Sequence, residues 1–260
     1  MIKPVYKVRR FVGSFLAKTK VEHSQWLKFV KALEPVEAGW ELIRIGSLGD
    51  GGYLVPNDLS EITGCISPGV SEMMDFELQL SAKFKIQSVL YDGSIDSPPH
   101  QDPRISFHKL FIGDSGLENY ISLPKSLDEF PMASDSSLIL QMDIEGDELT
   151  SLASLERVDL NKFRILIVEF HRLQDWTNKT VFNQLVSPIF TKLKESFDIV
   201  HIHPNNCDGV FYFAGKFLPR AVEITFHNKS RRKKNPSTTL IPHLLDCPNS
   251  KEAPDIKLSF

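Results

Sequence analysis

An apolar stretch of the chain, Leu138 to Met142, ends abruptly in Asp143, Glu145 and Gly146. A short apolar strand of this kind is typical of a parallel sheet covered on both faces, and such sheets bind ligands just beyond the carboxyl ends of their strands. Asp143 and Glu145 are two residues apart, so both side chains point to the same face of an extended chain. We therefore predict that they belong to a functional site and that Gly146 lets the chain turn into a helix. The alternative is a solvated strand end followed by a helix with an acidic first turn.

Two later apolar stretches also end in polar residues spaced two apart. Glu169 and His171 end the first of them, and His201 and His203 end the second, shortly before Asn206. If these strands are neighbours, carboxylates and imidazoles surround one cleft, a mixture that suits a general base or a divalent metal ion. A histidine on a strand is more often structural, so a functional role for His171 or His203 depends on the neighbouring strand ends.

The predicted strand that begins at Gly64 ends in a turn with a single glycine, Gly69, followed by Ser71. It forms neither a GxGxxG motif nor a Walker A loop, which argues against dinucleotide binding and phosphate-loop ATP hydrolysis. Asp92 ends the next strand about twenty residues later, where an acidic residue can accept hydrogen bonds from a ribose. Asp114 lies at the end of the next predicted strand, Ile105 to Ile112, as Asp92 lies at the end of the strand before it, and it could bind an adenine amine. For both residues a simple turn is an equally good interpretation.

The composition indicates a soluble protein with one large core: 260 residues, of which 42% are hydrophobic and 24% charged. A net charge of -3 argues against a general nucleic-acid binder. The three cysteines lack the spacing of a zinc site or a disulfide framework, which suits a reducing cytoplasm. No apolar run is long enough to span a bilayer, so we expect a cytoplasmic protein, with peripheral contact at the inner face of the membrane left open.

Short apolar strands alternate with helical stretches from Ile62 onward, which predicts an α/β fold with a mostly parallel sheet. Before them, Glu41 to Ile45 and Tyr53 to Pro56 predict two strands joined by a glycine-rich turn. The predicted strands that follow are Gly64 to Val70, Gln87 to Tyr91, Ile105 to Ile112, Leu138 to Asp143, Phe163 to His171, Phe197 to His203 and Val210 to Phe213, with Val222 to Phe226 as an extra one. The predicted helices are Met73 to Lys85, Leu117 to Tyr120, Glu148 to Leu155 and Val181 to Ser196.

Basic segments lie near both ends of the chain. Residues 1–38 are predicted to be a helical extension of a domain over residues 39–260, and the basic and aromatic character of the first helix leaves two interpretations. It packs on the domain, or it rests on an anionic membrane surface. Such helices also mediate dimers, so a homo-oligomer stays open. The basic run from Asn228 to Pro236 is predicted to be an exposed loop.

Several motifs together resemble the FkbM-type methyltransferase family. They cover most of residues 40–250 and are Gly49 to Tyr53, Ser67 to Ser71 with Phe76 and Glu77, Met142 to Glu148, Val168 to His171, His201 to Asn206 and Ile241 to Asn249. The resemblance implies a class I methyltransferase fold, a Rossmann-like sheet of seven mostly parallel strands with helices on both faces. It also implies S-adenosylmethionine as the cofactor and a hydroxyl group of a sugar or natural product as the acceptor.

The resemblance assigns roles by position. The cofactor contacts that it implies are Gly69, Ser71, Asp92, Asp114, Asp143 and Glu145. The turn departs from the usual methyltransferase pattern of an acidic residue followed by several glycines, and Glu72 or Glu77 could supply that acid. On the acceptor side we expect His203, Asn206 and Arg231, the last because a basic loop suits a phosphorylated or lipid-linked glycan.

Methyl transfer to a hydroxyl group requires close, collinear reactants and removal of the hydroxyl proton. His171 is the first candidate for the base, acting with Asp143 and Glu169. The alternative is a divalent metal ion held by Asp143, Glu169 and His171, which would lower the pKa of the acceptor hydroxyl.

The prediction is therefore an S-adenosylmethionine-dependent O-methyltransferase acting on a carbohydrate such as a surface polysaccharide or its lipid-linked precursor. Two other hypotheses remain. One is a non-catalytic protein of methyltransferase shape that binds a membrane or a partner, and the other is a nicotinamide or nucleotide enzyme, which the missing glycine motif disfavours.

Overall fold

The computed structural model describes residues 19–113 and 116–258. The strands are β1 (Val36–Glu37), β2 (Leu42–Gly46), β3 (Gly52–Pro56), β4 (Gly64–Pro68), β5 (Gln87–Tyr91), β6 (Ile105–His108), β7 (Phe111–Ile112), β8 (Tyr120–Ile121), β9 (Leu138–Met142), β10 (Phe163–Phe170), β11 (Phe197–Phe213), β12 (Lys216–Asn228) and β13 (Ser237–Thr238).

The α-helices are α1 (His23–Lys31), α2 (Asp75–Gln79), α3 (Leu123–Ser126), α4 (Glu148–Ser154), α5 (Arg157–Lys162), α6 (Leu173–Trp176), α7 (Lys179–Val181) and α8 (Ser187–Ser196). Two π-helical segments, Leu80–Phe84 and Phe182–Val186, continue α2 and join α7 to α8, and 3-10 turns occupy Leu127–Glu129 and Lys229–Arg231. None of the helices within the described ranges is long and apolar enough to cross a membrane.

The main sheet has seven strands in the order β11-β12-β10-β9-β4-β5-β6. Counted along the chain within this sheet, the order is 3-2-1-4-5-7-6, and the first five positions are those of a doubly wound parallel sheet. The last strand, β12, lies between β10 and β11 and runs antiparallel to both. This order confirms the predicted class I methyltransferase fold.

Both faces of the sheet are buried, because alternate residues of the central strands enter two different hydrophobic cores. Leu166 and Val168 of β10 face a core that includes residues of α1, α3, α4, α5, α6 and α8. Ile165 and Ile167 face a smaller core formed with α2 and the antiparallel β2–β3 hairpin. The apolar runs of the sequence are therefore continuous rather than alternating.

The predicted helix at Leu117 to Tyr120 is wrong. The chain turns there instead, because Asn119 adopts a left-handed backbone (φ 62°) and its carbonyl accepts a hydrogen bond from the Phe111 amide at 2.9 Å. The strand predicted from Ile105 to Ile112 is two strands, of which only β6 joins the main sheet, whereas β7 pairs with β8.

The predicted strands at Phe197 to His203 and Val210 to Phe213 form one long strand, β11. It pairs with β12 along most of its length, with irregular register between Asn205 and Val210. The connection between β11 and β12 is a turn of two residues, Ala214 and Gly215, both with positive φ (53° and 82°). Such a turn matches the twist of a hairpin.

Helix α1, which lies in the predicted N-terminal extension, packs against the main domain. Trp26 and Phe29 are buried in the same core as the central strands. The Phe29 ring makes edge contacts with Phe182 and Phe190 at centroid distances of 5.1 and 5.3 Å. The rest of the predicted extension, residues 1–18, lies outside the described residues.

Candidate active site

Polar side chains meet at the carboxyl ends of the central strands, as the sequence predicts. The parallel pairing of β9 and β10 places Asp143 beside Glu169. On the other side of β10, Glu169 pairs with Glu223 of β12, and Glu223 pairs with His203 of β11. Directly paired residues share one face of a sheet, so Glu169, Glu223 and His203 project to the same side.

His171 follows β10 and is buried among carboxylates. Its Nδ1 lies 2.9 Å from Glu148 Oε1. Its Nε2 faces three more carboxylate oxygens, those of Asp143 at 3.6 Å, Glu145 at 3.8 Å and Glu169 at 3.6 Å. Burial alone would lower the pKa of His171, but the hydrogen bond and charge of Glu148 and the charges of Asp143 and Glu169 raise it to about 10. The imidazole is therefore protonated at neutral pH in this arrangement, and it can act as a base only after losing that proton.

The carboxylates of the site are held in an acidic and buried environment. Burial and the nearby charges of Glu145 and Glu148, opposed by His171, raise the pKa of Asp143 to about 8. Burial and the charge of Asp143 raise the pKa of Glu169 well above its usual range. Burial is also the largest cause of the raised pKa of Glu223. In all three residues burial is the largest cause of the shift, and the neighbouring acidic groups add to it, so both favour the uncharged form of these carboxyl groups.

Two amides contact these carboxylates directly. Asn205 Nδ2 donates a hydrogen bond to Glu169 Oε1 at 2.6 Å. Asn249 Nδ2 donates to Glu223 Oε1, also at 2.6 Å. Both carboxylates are therefore fixed in orientation.

A sharp turn brings Glu145 back toward His171. Glu145 and Gly146 both have positive φ (62° and 124°), and the Gly146 amide donates to Glu148 Oε1 at 2.8 Å. The predicted turn at Gly146 is thus confirmed, and the helix that follows, α4, begins at Glu148. The same Glu148 oxygen contacts His171, so the turn and the imidazole are fixed together.

Three side chains of the site can converge on one cation. Asp143, Glu145 and His171 each offer one ligand atom, and these atoms lie within 4.8 Å of one another. Two members of the predicted metal set, Asp143 and His171, belong to this group, whereas Glu169 lies beside it. Two carboxylate oxygens and one imidazole nitrogen suit a divalent ion that accepts both kinds of ligand.

Ser71 and Asp92, predicted as cofactor contacts, lie together beyond β4 and β5. The Ser71 amide donates to Asp92 Oδ2 at 2.7 Å, and the amide and hydroxyl of Ser94 donate to Oδ1 at 2.7 and 2.5 Å. A carboxylate offers about four acceptor positions. A ribose therefore has to use the remaining position or displace a donor such as the Ser94 hydroxyl. Asp114 lies outside the described residues.

Gly69 is in close contact with the backbone at the end of β9. Its φ is +88°, and a Cβ added to it would lie 1.5 Å from the Asp143 carbonyl oxygen. The Asp143 amide donates to the Pro68 carbonyl at 3.1 Å. The turn that follows β4, residues 69–71, is called the β4 turn. It can meet Asp143 only because residue 69 is a glycine. The predicted approach of a cofactor to Gly69 stays a prediction.

His203, predicted to contact the acceptor, is buried beside a histidine–aspartate pair. Its Nδ1 lies 3.8 Å from Asp246 Oδ1, and the same oxygen lies 2.9 Å from His201 Nε2. His203 Nε2 has no hydrogen-bond partner within the described part of the chain. His203 therefore remains a candidate for an acceptor contact.

The side chain of Asn206 is occupied by the C-terminal segment. It donates to the carbonyls of Ser250 and Ala253 at 2.8 and 3.0 Å, and it accepts from the Ser250 amide at 2.8 Å. In this arrangement Asn206 anchors the C-terminal segment, so the expectation that it binds the acceptor is not supported.

Arg231 lies at the opposite edge of the sheet, and this corrects the prediction that it contacts the acceptor. It follows the end of β12, where Asn228 Nδ2 contacts the carbonyl of Phe163 at the start of β10. Arg231 donates two hydrogen bonds to Asp58, at 2.8 and 2.9 Å. The basic run is exposed and irregular from Arg232 to Pro236, as predicted, although three of these residues have partners: Arg232 with Asp198, Lys233 with the Trp40 ring and Lys234 with Glu37.

Several residues of the site were missed in the sequence. They are Glu148, Asn205, Glu223, Asp246 and Asn249. Glu223 had a local signal, since it is the one acidic residue in the apolar stretch from Ala221 to Phe226. Glu148 resembled an ordinary acidic residue in the first turn of a helix.

The chain matches no protein-family profile and no curated protein. Among solved structures it is similar to human methyltransferase-like protein 13 in complex with SAH, with 14% identity, coverage of 68% of this chain and 77% of that chain, and a TM-score of 0.38. It is also similar to a fibrillarin/Nop5p complex, with 8% identity, coverage of 75% and 98%, and a TM-score of 0.38. The fold assignment rests on the strand order of this chain, and the resemblance to the FkbM-type family stays a prediction.

Proposed function

We propose that this protein is an S-adenosylmethionine-dependent methyltransferase that methylates a hydroxyl group of a carbohydrate. The observation that carries the proposal is the cluster of buried carboxylates and imidazoles at the carboxyl edge of a sheet with class I strand order. In open α/β sheets this edge binds ligands, next to the point where the strand order reverses. In this chain that point is β4, which lies between β5 and β9.

The cofactor side of the site consists of the β4 turn and Asp92. S-adenosylmethionine supplies an electrophilic methyl group. Ser71 and Ser94 fix the orientation of Asp92, so its free acceptor position is directed before a ribose arrives. The main contribution expected from these fixed residues is to hold the methyl donor and the acceptor hydroxyl close together and in line.

The acceptor side is rich in hydrogen-bond acceptors. Asp143 Oδ1 and Glu169 Oε2 are buried without a hydrogen-bond partner among the described residues. A sugar carries several neighbouring hydroxyl groups, each of which can donate to a carboxylate oxygen. This supports a polyhydroxyl acceptor rather than an apolar one, with His203 as a further contact.

The alternative of a non-catalytic protein that binds a membrane gains no support from the basic run. Arg231, Arg232 and Lys234 are paired with acidic residues of the same chain, which reduces the charge available to lipid headgroups. A buried cluster of polar groups with shifted pKa values is also more typical of an active site than of a scaffold.

Calorimetric titration with S-adenosylmethionine and S-adenosylhomocysteine tests the proposal. We expect micromolar binding by the natural chain and a loss of at least about tenfold in Asp92→Ala, since each 1.4 kcal/mol corresponds to tenfold in affinity. Asp135→Ala, which removes an exposed carboxylate three residues before the start of β9 and so at the opposite edge of the sheet, is the matched control and should bind as the natural chain does. Absence of binding to both ligands by the folded natural chain would overturn the assignment.

A further inference from the structure

We propose that Asp143, Glu145 and His171 form a binding site for one divalent cation of the Mn²⁺ type. Their ligand atoms lie within 4.8 Å of one another, which allows simultaneous contact with one ion. Mn²⁺ accepts carboxylate oxygens, and it also accepts the imidazole nitrogen that is unusual for Mg²⁺ or Ca²⁺.

Glu148 prepares His171 for this role. The carboxylate of Glu148 contacts Nδ1 at 2.9 Å and holds a proton there, so Nε2, which faces Asp143 and Glu145, is the nitrogen that gives up its proton when a cation binds. A carboxylate that fixes the tautomer and direction of a metal-bound histidine is a regular feature of metal sites. Glu148 is only 2% exposed and is itself held by the Gly146 amide, so the orientation is rigid.

Two buried carboxylate oxygens at the cluster have no hydrogen-bond partner among the described residues. Glu169 is 2% exposed, its Oε1 lies 3.6 Å from His171 Nε2, and its Oε2 has no hydrogen bond within the described ranges. Asp143 Oδ1, also buried, is unpartnered in the same sense. Burying a carboxylate oxygen without a partner is costly unless a cation or a donor accompanies it. Glu169 is positioned to bind the ion through a water molecule or to receive an acceptor hydroxyl.

The backbone places Glu145 at the site at some cost. A non-glycine residue with positive φ is strained, and such strain is common at functional sites. Here it directs the Glu145 side chain, which remains 70% exposed, toward His171, with Oε2 3.8 Å from Nε2.

The consequence for catalysis rests on the proposed function. A cation at this position would lower the pKa of an acceptor hydroxyl in contact with it, so that His171 would not be needed as the base. His171 then acts as a ligand, and Glu148 acts as a positioning residue.

The test is a titration of Mn²⁺ followed by electron paramagnetic resonance, in which bound Mn²⁺ loses the signal of the free ion. We expect one Mn²⁺ per natural chain. Glu145→Gln, which changes an exposed side chain and should not unfold the protein, is expected to weaken binding by at least tenfold. Glu148→Gln is expected to weaken it by about 10- to 100-fold, as found for residues that orient metal ligands. Glu22→Gln, an equivalent change on an exposed glutamate of the N-terminal region, is the control and should leave binding unchanged.

Failure of this inference differs from failure of the proposed function. If the natural chain binds S-adenosylhomocysteine but not Mn²⁺, or if Glu145→Gln binds Mn²⁺ as the natural chain does, the cation site is overturned and the methyltransferase assignment stands. If Mn²⁺ binds with the expected dependence on Glu145 and no cofactor binds, the cation site is supported and the methyltransferase assignment falls. Thermal midpoints of all variants, recorded without Mn²⁺, show whether each remains folded.

Discussion

Buried and half-buried carboxylates in this protein are of two kinds, which differ in whether the chain supplies a permanent positive charge. Asp58 contacts Arg164 and Arg231. Asp143 and Glu169 have no arginine or lysine partner among the described residues, and their nearest cationic group is His171. The first arrangement is complete in itself and stabilises the fold. The second leaves negative charge available for a ligand.

Asp58→Asn is expected to destabilise the protein by about 3–5 kcal/mol, because Arg164 would be left buried without its charged partner. Asp58 is fully buried and Arg164 is 3% exposed. Urea unfolding at pH 7 measures the loss. The exposed Asp128→Asn is the control and should change the free energy of unfolding by less than about 0.5 kcal/mol. A loss as small as that of the control would show that Asp58 does not stabilise Arg164.

The pH dependence of this contribution has a definite sign. Burial would raise the pKa of Asp58, but hydrogen bonds from Arg231 and His227 and the charge of Arg164 hold it well below its usual range. The contribution of Asp58 to the free energy of unfolding is therefore fully present above the pKa of an aspartate in the unfolded chain, about 3.9. It is lost as the pH falls toward the lower pKa of Asp58 in the folded protein. The stability difference between the natural chain and Asp58→Asn should narrow when urea unfolding is repeated below about pH 4. A difference that stays constant down to pH 2.5 would contradict this origin.

At the scale of elements, the contact between the β4 turn and the end of β9 joins the two halves of the site. Gly69→Ala combines a left-handed backbone with a clash against the Asp143 carbonyl. Gly209→Ala also has a positive φ, +74°, but meets nothing within 4 Å, so it isolates the backbone cost of about 1–2 kcal/mol.

We expect Gly69→Ala to be destabilised more than Gly209→Ala and to lose cofactor affinity, while Gly209→Ala keeps it. Thermal unfolding and calorimetric titration with S-adenosylhomocysteine measure the two effects. Equal behaviour of the two variants would mean that the β4 turn moves freely and does not depend on its contact with Asp143.

The sequence could predict the elements whose signals are local. Gln87 to Tyr91 and Leu138 to Met142 are short apolar runs with clear ends, and the acidic residues and histidine beyond such strands follow directly from the pattern. The position of Glu223 beside Glu169 could not be predicted, because it depends on β12 entering the sheet antiparallel between β10 and β11. Arg231 was misplaced for a related reason: a run of basic residues shows charge but not the buried acidic partner, which lies far away in sequence.

At the scale of the whole molecule, α1 and the main domain share one core. Phe29→Ala should therefore cost about 3–5 kcal/mol, as expected for a buried aromatic residue, and should lower the midpoint of a single unfolding transition of the full chain. Leu27→Ala, on the same helix but 42% exposed, is the matched control and should cost much less. A small early transition that leaves the main unfolding step unchanged would show that α1 unfolds independently of the domain.

The turn at Ala214 and Gly215 is a natural attachment point for an optical reporter. A Cβ on Gly215 would meet nothing within 4 Å, and loop tips of this kind tolerate insertions well. The strands that carry this tip also carry Asn205 and Glu223 of the candidate site. A fluorophore attached there would thus be linked to the place where ligands are expected by the β11–β12 hairpin, whose pairing is interrupted only between Asn205 and Val210. This offers a way to screen unlabelled acceptors by a change in light emission.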